Sequence, residues 1–149
     1  MSLKKSFSLI EVLIFVSILS ILLIASAAIV TVSMRQNTLK INLLKAKHYN
    51  DQLLEWIRGE KETDWNSFTT FAGNKTYCFN TDTMSSPTEI LTISDCPSNL
   101  GGTYRRYAVF KTTLSGQVPT QVDTTITIEW QEAGNNYSSV LHALFTIWE

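Results

Sequence analysis

Two hydrophobic patterns follow one another along the chain, and the first is an uninterrupted apolar run. Residues 12–32 read VLIFVSILSILLIASAAIVTV, which is 21 residues without a charge, a proline or a glycine. A helix of this length spans ~30 Å, enough to cross the hydrocarbon core of a bilayer. The run is longer than the apolar part of an ordinary signal peptide, which has about 7–15 residues. It therefore predicts a membrane-spanning helix near the N-terminus.

The second pattern keeps the helical period but confines apolar residues to one face. Apolar positions recur at spacings of three and four, with Asn50 as the one polar residue on the stripe. The apolar positions of this stripe are Leu39, Leu43, Ala46, Leu53 and Ile57. No proline or glycine occurs from Phe7 to Arg58. We therefore predict one helix over residues 7–58, ~78 Å long, with Gly59 as its C-cap.

After the helix the sequence changes to a polar connection and then to a period of two. The polar connection is predicted for GEKETDWNSF, residues 59–68. Candidate strands are residues 76–80, 89–93, 105–114, 124–131 and 137–148. The clearest alternation places Ile126, Ile128 and Trp130 on one face of the fourth candidate. The residues AGNN at 133–136 have the composition of a hairpin loop.

These patterns predict an α+β fold. Its long N-terminal helix has a transmembrane first half, and the amphipathic second half packs on an antiparallel sheet of about four strands. Burying the helix stripe against one sheet face removes both apolar surfaces from water. The predicted organisation is a leader at residues 1–6, a membrane or assembly half of the helix at 7–34, and a soluble domain at 35–149.

The charges and the cysteines narrow the function classes. Lys and Arg number 12 against 13 Asp and Glu, so no basic excess indicates nucleic acid and no acidic excess indicates disorder. Lys4 and Lys5 precede the apolar run and Arg35 follows it, which favours an N-terminus in the cytoplasm. Exported cysteines meet an oxidising environment, so Cys78 and Cys96 can form one disulfide. Two buried free thiols are the alternative.

One carboxylate interrupts the start of the apolar helix. Glu11 lies in SFSLIEVLIF, and an ionised carboxylate in hydrocarbon costs ~3 kcal/mol or more. One interpretation is a side chain at the level of the lipid headgroups. The other is a charge that needs a partner from outside the helix.

The surrounding residues resemble a known signal. Lys4-Lys5-Ser6 followed by Phe7-Ser8-Leu9-Ile10-Glu11-Val12 is similar to the prepilin signal of type IV pilins and type II secretion pseudopilins. The resemblance implies cleavage between Ser6 and Phe7, and N-methylation of Phe7, by a membrane peptidase and methyltransferase. It also implies that Glu11 pairs with the terminal amine of a neighbouring subunit.

The resemblance covers residues 4–32 and includes two departures. Ser6 stands where the family usually has glycine, and the apolar helix lacks the proline or glycine of many major pilins. The pattern of Ile126, Ile128 and Trp130 is also similar to that of PilV-like minor pilins. The pilin fold is the expected fold.

The resemblance implies a structural subunit, a minor one, of a type IV pilus-like filament. The residues offer no Ser–His–Asp arrangement and no Gly-rich loop after a strand, so we expect no enzyme. The implied partners are other pilin subunits, the prepilin peptidase, an inner-membrane assembly platform, and membrane lipid before assembly. The implied location is the inner membrane as a single-pass precursor, followed by an extracellular or periplasmic filament. The alternatives are a type II secretion pseudopilin and a single-span, membrane-anchored extracellular binding protein that does not polymerise.

Other candidate sites in the sequence are weaker. His48 and His142 lack neighbouring ligands at metal-binding spacing, so we expect no metal and no cofactor. Arg105 and Arg106, flanked by Tyr104 and Tyr107, could form a basic and aromatic surface for nucleic acid. Alternation along a strand instead places them on opposite faces of a sheet.

Overall fold

The computed structural model describes residues 9–81, Met84 and residues 87–147. The chain divides after Ile41 into two compact units, whereas the predicted end of the membrane half is residue 34. The first unit contains the apolar part of a long helix, and the second contains the remainder of that helix and a sheet. The helices are α1 (Leu9–Thr63) and α2 (Trp65–Ala72). The strands are β1 (Thr76–Cys78), β2 (Thr88–Ile90), β3 (Tyr104–Ser115), β4 (Val118–Glu132) and β5 (Asn135–Thr146).

Helix α1 is continuous, and it ends later than the sequence pattern predicted. Gly59 lies inside the helix, so its assignment as the C-cap is wrong. The three residues that follow are Glu60, Lys61 and Glu62. Glu and Lys are good helix formers, whereas one internal glycine costs ~1 kcal/mol. The helix therefore continues through Gly59, whose carbonyl accepts a hydrogen bond from Thr63 Oγ1 at 2.8 Å.

The predicted polar connection contains the end of α1 and the start of α2. Asp64 caps α2, because its side chain accepts hydrogen bonds from the Asn66 amide at 2.9 Å and from Ser67 Oγ at 2.5 Å. Hydrogen bonds from Ser67 and Asn66 hold the pKa of the Asp64 carboxyl below its ordinary value. The helix ends at Gly73, which has the left-handed conformation at φ 31°. The buried face that stabilises α2 includes Phe68.

The sheet has five strands rather than about four, in the order β2-β1-β3-β4-β5, and every neighbouring pair is antiparallel. The predicted α+β class is therefore confirmed. The loop predicted at 133–136 is a two-residue turn, with φ 49° at Ala133 and 80° at Gly134. Positive φ at both positions matches the right-handed twist of the strands. Asn135 and Asn136 accordingly belong to β5.

Alternation along β4 is as predicted, and it directs one face of the sheet toward α1. The inward residues of β4 are all buried: Val122, Thr124, Ile126, Ile128 and Trp130. The four apolar ones contribute to two clusters, one with Leu53 and Ile57 of α1 and the other with Ala46. The stripe of α1 is buried from Ala46 onward. Leu43 stays 38 % exposed, so the predicted contact face begins later than its sequence pattern.

Polar bonds join this half of α1 to the sheet. Asn50 is buried, and its Nδ2 donates to Ser139 Oγ on β5 at 3.0 Å. Asn42 Nδ2 donates to Glu132 Oε2 at 2.8 Å, and Tyr104 OH donates to Asn42 Oδ1 at 3.1 Å. A buried amide is costly unless it is hydrogen-bonded. These directional contacts therefore determine the position of the helix along the strands.

Arg106 is a fully buried cation in β3, on the face that carries the core. Its Nε donates to the Phe79 carbonyl at 2.8 Å, and its Nη2 donates to the Thr81 carbonyl at 3.0 Å. Nη1 reaches the Tyr49 carbonyl of α1 at 3.4 Å, and the guanidinium lies 5.7 Å from the centre of the Tyr49 ring. The planar guanidinium offers five N–H donors. Arg106 therefore links α1, β3 and the segment that follows β1.

The predicted disulfide is present on the opposite face of the sheet. It joins Cys78 of β1 to Cys96, with the Cα atoms 5.4 Å apart. Cys96 follows a short 3₁₀ turn at Ile93–Asp95. Both cysteines are buried in a cluster with Ile90 and Tyr107. The bridge therefore holds the long β2–β3 connection against the sheet.

Replacing Cys78 and Cys96 together by serine should lower the free energy of unfolding by ~3 kcal/mol, because the bridge closes a loop with a sequence separation of 18 residues. Chemical denaturation of the full chain in detergent micelles measures the change. Both cysteines of the wild-type protein should resist alkylation until a reductant is added. Labelling of both thiols without reductant would contradict the bridge.

Arg106→Met should destabilise the protein by ~3 kcal/mol, because buried carbonyl groups lose their donor. The matched control is Arg105→Met on the neighbouring position, which is part of a partly exposed ion pair and should cost ~1 kcal/mol or less. Both variants are compared by denaturant midpoint under the same conditions. Equal effects of the two substitutions would argue against the anchoring role of Arg106.

Candidate functional site

The first unit is defined by apolar side chains that no other part of the described chain covers. Every large apolar residue from Leu9 to Met34 is exposed. Soluble monomers rarely expose contiguous apolar patches larger than a few hundred Å². Within the described residues, α1 is the one helix with the length and composition to cross a membrane. This helix surface therefore requires lipid or other protein around it.

The polar residues of the apolar helix satisfy their own hydrogen bonds. Ser17 and Ser20 donate to the carbonyls of Leu13 and Val16, both at 2.8 Å. Ser26 and Thr31 make the same kind of bond further along the helix. A hydroxyl that bonds to the carbonyl three or four residues earlier presents little unsatisfied polarity. These residues therefore do not interrupt the apolar surface.

Glu11 is the one charged side chain between Leu9 and Met34. It is exposed in the first turn of α1. Among the described residues no ion pair includes it. Lys4, Lys5, Ser6 and Phe7 lie outside the described residues, so the cleavage site and the basic leader remain predictions from the sequence. The pairing of Glu11 remains a prediction as well.

The structure separates the residues of the predicted basic and aromatic surface. Tyr104 and Arg106 point into the core and are buried, whereas Arg105 and Tyr107 lie on the other face. Arg105 Nη1 lies 3.6 Å from Glu129 Oε2, so its charge is balanced. The alternation of side chains along β3 therefore places the two pairs on opposite faces of the sheet. The four side chains do not form one surface suited to nucleic acid.

Tyr107 contacts Glu129, the partner of Arg105, on the outer face of the sheet. Its hydroxyl donates to Glu129 Oε1 at 2.9 Å. Burial raises the pKa of the Tyr107 phenol above its ordinary value, and the hydrogen bond to Glu129 raises it further. The phenol therefore remains a neutral donor to one carboxylate oxygen, while Arg105 lies near the other.

The two histidines lie in different surroundings. His48 is an exposed residue of α1, and His142 lies on β5, where its Nδ1 is 3.1 Å from Thr125 Oγ1. Within the described parts of the chain, no cluster of three His, Cys, Asp or Glu side chains could hold a metal. Neither histidine is part of a recognisable site.

Sequence reasoning missed the anchoring role of Arg106. The signal was present, because Arg106 occupies the same parity of β3 as Tyr104, Ala108 and Phe110, all of which are buried. A charged residue at an inward position must be paired or hydrogen-bonded. What the sequence could not supply was its partners, which lie 25 to 57 residues away along the chain.

Comparison with known proteins gives one match. Residues 1–27 match the family described as the prokaryotic N-terminal methylation motif. No individual curated protein and no solved structure matches the chain. The motif includes Ser6, Phe7 and Glu11, and it ends within the apolar part of α1.

The motif and the exposed apolar helix together fit a membrane-anchored precursor. They support a type IV pilin-like or pseudopilin protein. This chain carries the N-terminal prepilin signal of the type IV pilin family, which includes the start of a long helix, and the second half of that helix packs on an antiparallel sheet.

Proposed function

We propose that the protein is a minor structural subunit of a type IV pilus-like filament and acts by assembly rather than catalysis. The observation that carries the proposal is the uncovered apolar surface of α1 between Leu9 and Met34, with Glu11 at its start. A single-span anchor needs the apolar surface, but it gains nothing from a carboxylate in hydrocarbon. A helix that assembles with others can use the apolar surface for packing and the carboxylate for pairing with a neighbouring subunit.

Processing would create the partner for that carboxylate. A peptidase that cuts between Ser6 and Phe7 removes the two leader lysines and leaves a terminal amine four residues before Glu11. The amine of one subunit can then pair with Glu11 of its neighbour. Two separated charges are costly in lipid, and their approach within a bundle of helices reduces that cost. Assembly is thereby favoured over the isolated inserted subunit.

The second unit would lie outside the cytoplasmic membrane. Its disulfide is suited to an oxidising compartment. Its sheet, held to α1 by Asn50 and Arg106, would be displayed on the filament surface or would prime assembly.

The absence of proline and glycine from the apolar part of α1 helps to distinguish a major pilin from a minor pilin or a pseudopilin. From Leu9 to Thr63 the helix contains Gly59 but no proline, and Gly59 lies outside the apolar part. The apolar part thus lacks the helix-weakening residue found in many major pilins. This supports a minor pilin, and it supports a type II secretion pseudopilin as the second candidate.

Intact-mass measurement of the protein from a host with prepilin peptidase tests the processing step. We expect a chain that begins with N-methylated Phe7, and a full precursor in a host without the peptidase. Ser6→Gly should be cleaved at least as completely as the wild type, because it restores the residue usual in the family. A working protein that begins at Met1 or Ser2 would favour a non-polymerising membrane anchor.

Glu11→Val tests the charge pairing. The variant should insert and be processed, but its share of sheared filaments should fall by roughly tenfold, the factor that corresponds to a loss of ~1.4 kcal/mol. Ser17→Val is the control, since it also makes the helix more apolar but removes no charge. Quantitative immunoblotting of the filament and membrane fractions provides the measurement. Normal incorporation of the Glu11 variant, or an equal loss in both variants, would contradict the pairing.

A further inference from the structure

The two edges of the sheet differ in length and in charge. One edge is β2, which has three residues and includes Glu89, the ion-pair partner of Lys75. The other edge is β5, whose twelve residues pair with β4 in continuous register and include no Asp, Glu, Lys, Arg or Pro. Natural edge strands are usually short, charged or bulged, because their free backbone groups otherwise pair with other strands. The β5 edge has none of these three protections.

Backbone hydrogen bonds show which way the residues of β3 face. In an antiparallel sheet the N–H and C=O of one residue point to one neighbouring strand, and those of the next residue point to the other. The Phe110 amide donates to the Lys75 carbonyl at 2.9 Å, and the Phe79 amide donates to the Arg106 carbonyl at the same distance. Lys75 and Phe79 flank β1, so Arg106 and Phe110 face β1. The alternate residues of β3 therefore face β4.

The same alternation continues through β4 to β5. Tyr107 of β3 faces β4, where its register partner is Thr127. The next residue, Ile128, accordingly faces β5, where its register partner is Ser139. Every second residue of β5 counted from Ser139 bonds to β4, and the intervening residues direct their N–H and C=O groups away from the sheet. The outward residues in the middle of β5 are Ser138, Val140, His142 and Leu144.

The backbone groups of these outward residues have no partner among the residues that the structure describes, since no backbone hydrogen bond outside the sheet ladder reaches them. Their side chains lie on the outer face of the sheet, where Val140 is 51 % and Leu144 is 52 % exposed. A further strand would satisfy the row of donors and acceptors and would cover both apolar side chains.

A groove with a volume of about 400 Å³ lies between the β5 edge and α1. It is lined by five consecutive residues of β5, Leu141–Phe145, and by residues of α1 that include Leu54 and Arg58. Arg58 is already paired with Glu55 at 2.7 Å. Alternate side chains of a strand laid along β5 would point to this side of the sheet. In strand addition the main chain provides affinity, and pockets for alternate side chains provide specificity.

A second copy of the chain is a poor occupant of this edge. Antiparallel pairing, the more stable arrangement, would relate β5 to its copy by a twofold axis perpendicular to the sheet. Because α1 lies along the inner face from Ala46 to Ile57, that axis would reverse the direction of the helix in the copy. Two chains anchored in one membrane by this helix enter it from the same side. The β2 edge of a copy offers three residues. These conditions favour a strand from a different protein.

We propose that β5 accepts an extended, uncharged segment of a different protein as a further strand of the sheet. The outward backbone groups of β5 bind its main chain, and one apolar side chain enters the groove beside Leu54. The segment is uncharged because β5 carries no charge and Arg58 is neutralised. The site belongs to the second unit and involves neither Glu11 nor the leader, so it can fail without affecting filament assembly.

The probe is an acetylated and amidated peptide of alternating threonine and valine, about six residues long, the usual length of a strand. The isotope-labelled full chain in detergent micelles is titrated with this peptide, and the backbone amide shifts are followed by NMR. We expect saturable shifts at Ser138, Val140, His142 and Leu144. The same peptide with every backbone nitrogen methylated should cause none, because it cannot donate to the edge.

Val140→Lys should weaken peptide binding by roughly tenfold or more, because a charge at the edge disfavours an added strand. Val118→Lys is the matched control. Val118 is an equally exposed valine of β4, at 58 %, and it lies outside the part of β4 that pairs with β5. This variant should bind as the wild type does. Val140→Pro removes one outward N–H but no bond of the ladder, so it should keep the sheet and weaken binding by roughly tenfold as well.

The proposal is overturned by the absence of saturable shifts along β5, by equal shifts with the methylated peptide, or by equal weakening in Val118→Lys. Concentration-dependent shifts of the same four amides without any peptide would identify a second copy as the occupant, and they would overturn the proposal too. The remaining amide signals of each variant report whether its sheet is intact.

Discussion

The apolar surface of the first unit is the constraint on which the rest of the protein depends. The side chains from Leu9 to Met34 leave the helix in all directions, and every large one is exposed. A helix that is apolar all round cannot form a stable arrangement in water by itself. The environment of this segment must come from outside the chain, as lipid or as other helices. Glu11 is the one charged side chain of this segment, and an ionised carboxylate is costly in hydrocarbon.

The second unit is governed by the opposite condition, because it buries its apolar residues within itself. Ala46, Leu53 and Ile57 of α1 meet the inward face of the sheet. Hydrophobic contact alone tolerates some sliding of a helix along a sheet, whereas hydrogen bonds with defined partners do not. Asn50 and Arg106 provide those bonds. These bonds therefore hold the sheet in one position against the second half of α1.

The two faces of the sheet therefore serve different purposes. The inner face carries the core, while the outer face carries the disulfide cluster at one place and the ion pair of Arg105 and Glu129 at another. The bridge between Cys78 and Cys96 retains the long β2–β3 connection beside the sheet. Ser98 and Thr103 belong to the later part of this connection, and they lie near Arg105 and Glu129. The bridge therefore also restrains the segment beside this ion pair.

The amino-acid sequence by itself determined the features that depend on local period. The apolar run, the stripe on α1, the alternation in β4 and the prepilin signal around Glu11 can all be recognised within short windows. The helix boundaries also follow from local effects, because the residues after Gly59 favour helix and Asp64 begins α2 through its own capping bonds. The tertiary structure alone decided what those elements meet. The burial of Arg106 depends on carbonyl groups far away along the chain. Periodicity describes which face a residue occupies, but it contains no information about the distant groups that come to lie against that face.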